Sequence, residues 1–479
     1  MHDREFKIYN TLSHSKERFQ PIHPGEVNIY VCGPTVYDFM HIGNARPLVV
    51  FDVLRRLLVD AGYQVRYAMN FTDIDDKIIR RANERGVDFH EVSQRYIDEF
   101  IQDREGLNVL APDFAPQASE NIEAMTEMIQ QLIGEGYAYI GAEGVYFDVS
   151  KDPGYGKLAK LDHEQMQSGR REISYQASDK QHSADFALWK FKREGEPGFP
   201  APFGEGRPGW HIECSAMIHR VFENKVIDIH AGGMDLIFPH HENEIAQSEC
   251  CHEHELSKYW MHNAYITIVD VFGSENKMSK SLGNFRFVRD LSEHYGYDVL
   301  RFFILTAHYR SNLKFYPGAL EEAAASLKRI REAEERIRFL KAKLQSGDKS
   351  SEAGILSEIA EIESAFYADL YDDLNTAAAI GKIFSLLRLF FRDDSELHLT
   401  PRVLEAYQNF LTKSLSILGL DFAVDLALDE DVELLLQRRS EARASKNWQL
   451  SDELREQLKQ IGYLVKDTPE GQQLSRIEA

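Results

Sequence analysis

Read for hydropathy alone, the chain opens with a buried strand, a helix and a second strand. Val27-Asn28-Ile29-Tyr30-Val31-Cys32 is a β-branched and aromatic run closed by Gly33-Pro34-Thr35, which predicts a strand followed by a turn. Residues 45–61 carry apolar side chains at helical spacing, and Gly62 supplies the stop. A second strand is expected over 64–69, running into Asn70-Phe71-Thr72-Asp73. Strand, loop, helix and strand in this order are the start of a doubly wound parallel sheet. Residues 118–139 read as helix, and the stretch 193–209 is dense in Gly and Pro, so 118–225 is expected to be an insertion. Strand signals resume at Val226-Ile227-Asp228-Ile229-His230 and at Tyr265-Ile266-Thr267-Ile268-Val269. The sheet domain is therefore expected in two pieces, 1–117 and 226–315. Beyond it the period changes. Leu320, Leu327, Ile330, Ile337, Leu340 and Leu344 form one helical stripe, and Ile355, Ile359, Ile362, Phe366 and Leu370 begin another. A helical bundle over 316–425 and a small tail over 426–479 complete the expected organisation.

Composition narrows the class. A chain of 479 residues with 43% hydrophobic and 28% charged residues suits a soluble protein of several domains. No run approaches the roughly 20 apolar residues of a membrane helix, and Met1-His2-Asp3-Arg4-Glu5-Phe6-Lys7 has no apolar signal core. Four cysteines, Cys32, Cys214, Cys250 and Cys251, are too few and too irregular for a disulfide scaffold, so a cytoplasmic setting is expected. A net charge of −22 argues against a generally basic, nucleic-acid-binding surface. A local basic face can override that average, and Arg439, Arg443 and Lys446 share one helical face. They are read either as phosphate contacts or as a solvated face.

His41-Ile42-Gly43-Asn44 lies in the loop that joins the first strand to its helix, where a parallel sheet binds ligands and a helix N-terminus favours phosphate. Gly43 permits close backbone approach and His41 can donate to phosphate oxygens; alone, the motif is as readily a capped turn. Lys277-Met278-Ser279-Lys280-Ser281, after a later strand, sets two lysines three apart. Lys277 and Lys280 are suited to neutralising charge that develops between an α-phosphate and departing pyrophosphate. In this order the two motifs resemble the paired signatures of class I aminoacyl-tRNA synthetases. Asn44 stands where the general pattern has a second His, a variant common in the cysteine-specific branch.

His240 and Glu244 are four apart in a predicted helix after Pro239 and face one side. With Cys32 and Cys214 they make a thiol, imidazole and carboxylate set suited to tetrahedral zinc. Cys250-Cys251-His252-Glu253-His254 is also dense in ligand types, but neighbours on a helix point in different directions. It is read as a helix end in preference to a second metal site.

The segments 30–38, 70–77, 185–190, 209–217, 238–247 and 307–311 resemble the cysteine-specific class I synthetases, and the resemblance spans nearly the whole chain. It implies a split Rossmann-like α/β catalytic domain with an insertion, a helical bundle and a C-terminal anticodon-binding region. It also implies one zinc held by Cys32, Cys214, His240 and Glu244, selecting the thiolate of substrate cysteine. ATP, accompanied by Mg2+, would be bound by His41, Gly43, Asn44 and Lys280. Gly232, Gly233 and Asp235 are read either as adenosine contacts or as a structural turn. Thr72 and Trp210 are expected to line a cysteine pocket, with core packing the alternative for Trp210. Cysteine, ATP and a cysteine-specific tRNA are the implied partners, acting on a monomer with no membrane. Two other activities share parts of this pattern: an adenylating ligase that joins cysteine to an amino sugar, and a non-catalytic RNA-binding paralogue.

Overall fold

A computed structural model describes residues 5–160, 180–223, 225–269, 275–277, 286–347, 350–421, 430–468 and 471–476. The chain divides into two compact units. The first comprises Met1–Leu320 with Asp369–Ala377, and the second comprises Glu321–Ala368 with Ala378–Ala479.

At the centre of the first unit is a four-stranded parallel sheet. Its strands are β1 (Glu26–Val31), β2 (Gln64–Met69), β3 (Ile227–Gly233) and β4 (Ser257–Asn263), in the order β4-β3-β1-β2. Ile29 is level with Tyr67 on one side and with Ile229 on the other. Val27, Ile29, Tyr30 and Val31 are all buried, as expected of a strand covered on both faces. Helix α1 (Ile42–Asp60) makes the crossover from β1 to β2 and buries the run Leu48 to Leu54. Order reverses beside β1, because β2 and β3 lie on opposite sides of it. The switch point of the sheet is therefore above β1 and β3, at their carboxyl ends.

Between β2 and β3 the chain forms the helix Ile122–Gly134 and an antiparallel sheet of Ala138–Ile140, Gly144–Phe147, Phe186–Phe191 and Gly206–Pro208. Two helices serve both cores, α2 (Trp210–Val221) and α3 (Glu242–His252). Ile212 and Ala216 of α2 and Ala246 of α3 pack with Met125, Ile129, Val145 and Trp189. Cys214, Met217 and Ile218 of α2 and Ile245 of α3 pack instead with Tyr30, Ala68, Ile227 and Trp260. The residues His211 to His219 are accordingly buried all round.

One expected strand lies elsewhere. Ile266–Val269 is not in the parallel sheet but pairs antiparallel with Glu275–Lys277 and parallel with Leu313–Phe315. The fourth strand of the main sheet is Ser257–Asn263, whose polar and aromatic content hid it. Arg46, fully buried on α1, donates from Nη1 to the carbonyls of Ala264 and Tyr265 (2.7 and 2.6 Å) and from Nη2 to those of His308 and Ser311 (3.1 and 2.6 Å). It fixes the chain where it leaves the sheet.

The second unit is helical. In Ala319–Lys343 the predicted stripe Leu327, Ile330, Ile337 and Leu340 is buried, as are Ile355, Ile359 and Phe366 in the following helix. Thr376–Ser395 and Pro401–Leu418 add two more helices. The tail consists of helices Glu430–Ala444 and Trp448–Gln460 and a hairpin of Tyr463–Thr468 with Gly471–Arg476. Arg439 turns inward instead of joining a basic face: it is buried and donates to both Asp467 oxygens at 2.9 Å, holding the hairpin to the helix. Arg443 pairs with the same carboxylate at 3.0 Å. No helix among the described residues is long and apolar enough to cross a membrane.

Candidate active site

A cavity of about 380 Å³ opens at the carboxyl ends of β1, β3 and β4. His41, Gly43 and Asn44 line it, together with Cys32, Trp210, Gly233 and Asp235. His41 is the N-cap of α1, and its Nδ1 accepts from the backbone N–H of Asn44 at 3.3 Å. A ring that accepts at Nδ1 carries its proton on Nε2, so the imidazole is a donor on its other edge. Gly43 makes this posture possible: a Cβ there would lie 2.8 Å from His41 Nδ1 and 2.9 Å from Cε1.

The second motif flanks the first. Lys277 pairs with Thr267 across the small sheet, and Ile42 N–H donates to Arg286 C=O at 3.0 Å while Val288 N–H donates to Met40 C=O at 2.9 Å. The described residues on both sides of 278–285 are thus fixed beside the cavity and the α1 cap. Lys280 lies outside the described residues, as does the side chain of Lys277.

Cys32, Cys214, His240 and Glu244 converge, their ligating atoms all within 4.8 Å of one another. Cys32 Sγ is 3.6 Å from Cys214 Sγ and 3.5 Å from Glu244 Oε1, and His240 Nε2 is 3.0 Å from that same oxygen. The end of β1, the middle of α2, the turn Ile237–His241 and the start of α3 supply them. Cys32, His230, His241 and Glu244 meet the same distance condition, so two overlapping quartets share Cys32 and Glu244.

Around them lies a layer of histidines that sequence reasoning missed. His211 Nδ1 is 3.0 Å from His240 Nδ1, leaving Nε2 as the nitrogen that faces Glu244. His230 Nε2–H donates to Glu244 Oε2 at 2.8 Å. His241 Nδ1 meets His262 Nε2 at 2.8 Å, and His262 Nδ1 meets Thr11 Oγ1 at 2.8 Å. Burial pushes the Cys32 thiol well up and His240 and His241 well down, and lowers His211 and His262 to about 3. Without a cation Cys32 and Cys214 stay as neutral thiols and His211, His240, His241 and His262 as neutral imidazoles. Those are the donors that a soft divalent ion converts to ligands, and two sulfurs, one nitrogen and one oxygen fit zinc.

Trp210 lies across the rim, its ring stacked on His240 at 4.2 Å and 25° and still 39% exposed. Thr72 is buried, with Oγ1–H donating to Glu213 Oε2 at 2.8 Å and its backbone bridged to Thr35. Burial, against the hydrogen bond from Thr72, keeps the Glu213 carboxyl well above its usual range. Gly233 and Asp235 border the cavity, while Gly232 lies deeper, where a Cβ would be 2.8 Å from Leu236 and 3.1 Å from His241.

Residues 18–325 match the family model described as tRNA synthetases class I (C) catalytic domain. Residues 365–423 match the DALR domain, and residues 425–474 match the cysteinyl-tRNA ligase anticodon binding domain. The chain is 45% identical to the cysteine–tRNA ligase of Clostridioides difficile (strain 630) over 98% of this chain and 100% of that one. It is 46% identical to that of Lachnospira eligens over the same shares, 98% and 100%. Among solved structures, the methionyl-tRNA synthetase of Mycobacterium tuberculosis in complex with methionyl-adenylate is similar at a TM-score of 0.60 and 13% identity. That similarity covers 82% of this chain and 90% of that one, and it shows a shared fold.

Proposed function

Since this chain belongs to the cysteine–tRNA ligase family of class I aminoacyl-tRNA synthetases, we propose that ATP and cysteine meet in the cavity above β1 and β3. The ligase uses cysteine, ATP and tRNA(Cys). The carboxylate of cysteine attacks the α-phosphorus and pyrophosphate departs; a terminal hydroxyl of the tRNA then takes the cysteinyl group and AMP departs. The amino acid brings its own nucleophile, so the protein's part is to position groups and stabilise charge. His41 donates from Nε2 to the phosphates, beside the N–H groups of the first turn of α1. Gly43 and Asn44 let the nucleotide close on that turn. Lys277 and Lys280 offset the charge that grows on pyrophosphate. Gly233 keeps the adenosine side open, Gly232 lets β3 pack beneath it against Leu236 and His241, and Asp235 accepts from ribose hydroxyls.

Cys32, Cys214, His240 and Glu244 hold the zinc, with two sulfurs favouring this quartet over the one containing His230 and His241. When bound, zinc supplies a Lewis-acidic position that stabilises a thiolate far better than a hydroxyl. Trp210 bounds the cysteine side of the pocket, and Thr72, buried and bonded to Glu213, supports that side from within. One observation carries the proposal: Cys32 of the metal quartet and His41 of the nucleotide cap line one cavity. We further read 118–225 as the insertion, 316–425 as the bundle and 426–479 as the part that meets the anticodon. We assign the reaction to a monomer in the cytoplasm, with Mg2+ accompanying ATP.

Cys214→Ser tests the reading. Zinc content and cysteine-dependent exchange of pyrophosphate into ATP should both fall. Full zinc with full exchange would remove Cys214 from the site and transfer the metal to the alternative quartet.

A further inference from the structure

We propose, on the assignment of Cys214 as a zinc ligand, that Tyr30 is a positioning residue of that site, its hydroxyl donating to the Cys214 thiolate. Tyr30 stands two positions before Cys32 on β1. Extended pairing continues through Cys32, whose N–H donates to the Ala231 carbonyl at 3.1 Å. Alternation along a strand therefore sends both side chains to one face of the sheet. On that face Tyr30 packs with Cys214 and Met217 of α2 and with Ile245 of α3. Its ring meets His230 edge to face at 5.5 Å, and His230 is the histidine that donates to Glu244.

Packing does not explain the hydroxyl. Tyr30 has 0% exposure, and among the described residues its Oη makes no hydrogen bond of good geometry. A buried hydroxyl left unsatisfied is costly, and phenylalanine would fill the same volume without that cost. Besides burial, the groups that act on the hydroxyl are Cys214 first, then Cys32 and Glu244. Those are three of the four proposed ligands, so the orphaned donor stands behind the metal quartet and closest in effect to Cys214.

The state of the sulfur decides whether that donor has a partner. Cys214 S–H is directed at Asn70 Oδ1, 3.7 Å away, and its sulfur takes the S–H of Cys32 at 3.6 Å. A thiol sulfur is a weak acceptor, and this one is already engaged. Ligation of zinc removes the proton from each cysteine. Cys214 then has nothing to donate and becomes an anionic acceptor, for which a phenolic O–H is a strong, charge-assisted partner. Asn70 does not fill that place, because the atom it turns to the sulfur is Oδ1, held there by Gly33 N–H at 2.9 Å. The bond also serves the chemistry. By drawing charge from Cys214, Tyr30 leaves the ion a stronger claim on the sulfur of substrate cysteine.

Tyr30→Phe in the full-length chain is the test, since it removes one oxygen and keeps the ring. Zinc affinity, measured by competition with a chromophoric chelator, should fall by about 10–100-fold. The urea midpoint of the chelator-stripped protein should stay at or above the native value. With Co2+ in place of zinc, the thiolate-to-cobalt charge-transfer band should move to lower energy, because a thiolate without its hydrogen bond gives up charge more easily. A role in packing alone predicts the opposite pattern, a lower urea midpoint with affinity and band unchanged, and that pattern overturns the proposal. Native stability with native zinc affinity overturns it too. Zinc titration of the stripped native chain needs no variant: it should produce the red-shifted difference spectrum of a tyrosine donating to an anion, and its absence refutes the bond. A native chain with no thiolate-to-cobalt band would overturn the zinc assignment itself, whereas a native band that Tyr30→Phe leaves unshifted removes only Tyr30.

Discussion

Gly43→Ala separates the nucleotide grip from the stability of the helix that carries it. The added Cβ would lie 2.8 Å from His41 Nδ1 and 2.9 Å from Cε1, closer than non-bonded atoms tolerate, so the ring must swing off the helix end. The swing breaks the bond from Asn44 N–H to Nδ1. Losing a capping acceptor costs about 0.5–2 kcal/mol. Replacing Gly by Ala within a helix returns up to about 1 kcal/mol. The two nearly cancel, so the change in unfolding free energy should stay within about 1 kcal/mol. Adenylate formation has no such compensation, because the Nε2 donor leaves the cavity with the ring. Loss of one pre-positioned donor lowers the rate by roughly 10²–10³-fold. Denaturant unfolding and pyrophosphate exchange measure the two quantities on one preparation. His41→Asn is the companion: Asn caps well but cannot reproduce the imidazole donor, so stability should hold while exchange falls. Exchange within about threefold of native in both variants would refute the role of His41.

Three further outcomes are expected. Lys280→Ala should lower pyrophosphate exchange by about 10²-fold with zinc content unchanged; an unaltered exchange rate would exclude Lys280 from the mechanism. Arg46→Lys should destabilise the first unit by at least about 2 kcal/mol, because an ammonium cannot serve four carbonyls fixed around a planar guanidinium; an unshifted urea midpoint would contradict this. Hydrogen bonds from Arg439 hold the Asp467 carboxyl below its usual range. Its contribution to the tail is therefore complete above the unfolded value of about 3.9 and is lost as pH falls through the lower folded value. Amide exchange in the hairpin should accelerate only in that acid window, and Asp467→Asn should abolish the dependence; acceleration already near neutrality would rule Asp467 out.

Much of the fold was legible because its signals are local. The continuous apolar run of β1, the period of α1 and the stripe of Leu327, Ile330, Ile337 and Leu340 each lie within a few turns of chain. Cys32, Cys214, His240 and Glu244 could be named from residue type and a resemblance, and the structure brings their ligating atoms together. The histidine layer was hidden because its members arrive from α2, β3, the turn before α3 and β4, and only the packing of those elements makes them neighbours. His230 was read as the end of a strand, with nothing to say which face of the sheet it held. Arg439 misled for the same reason: a helical face drawn from spacing does not reveal that Asp467 waits inside it. Ile266–Val269 has the composition of a central strand, yet pairing partners decide which sheet a strand enters.

The place of β3 beside β1 has a consequence for how the protein is made. Ile29 is paired with Ile229, two hundred residues later in the chain. At about 5–20 residues per second, a ribosome needs roughly 10–40 s to deliver that partner. During this interval one edge of a largely apolar strand has no neighbour from its own chain, and Cys32 at its tip has neither Cys214 nor Glu244 beside it. The nascent first third is therefore the part of this protein most exposed to mispairing and thiol oxidation, and the part with the greatest need of a chaperone.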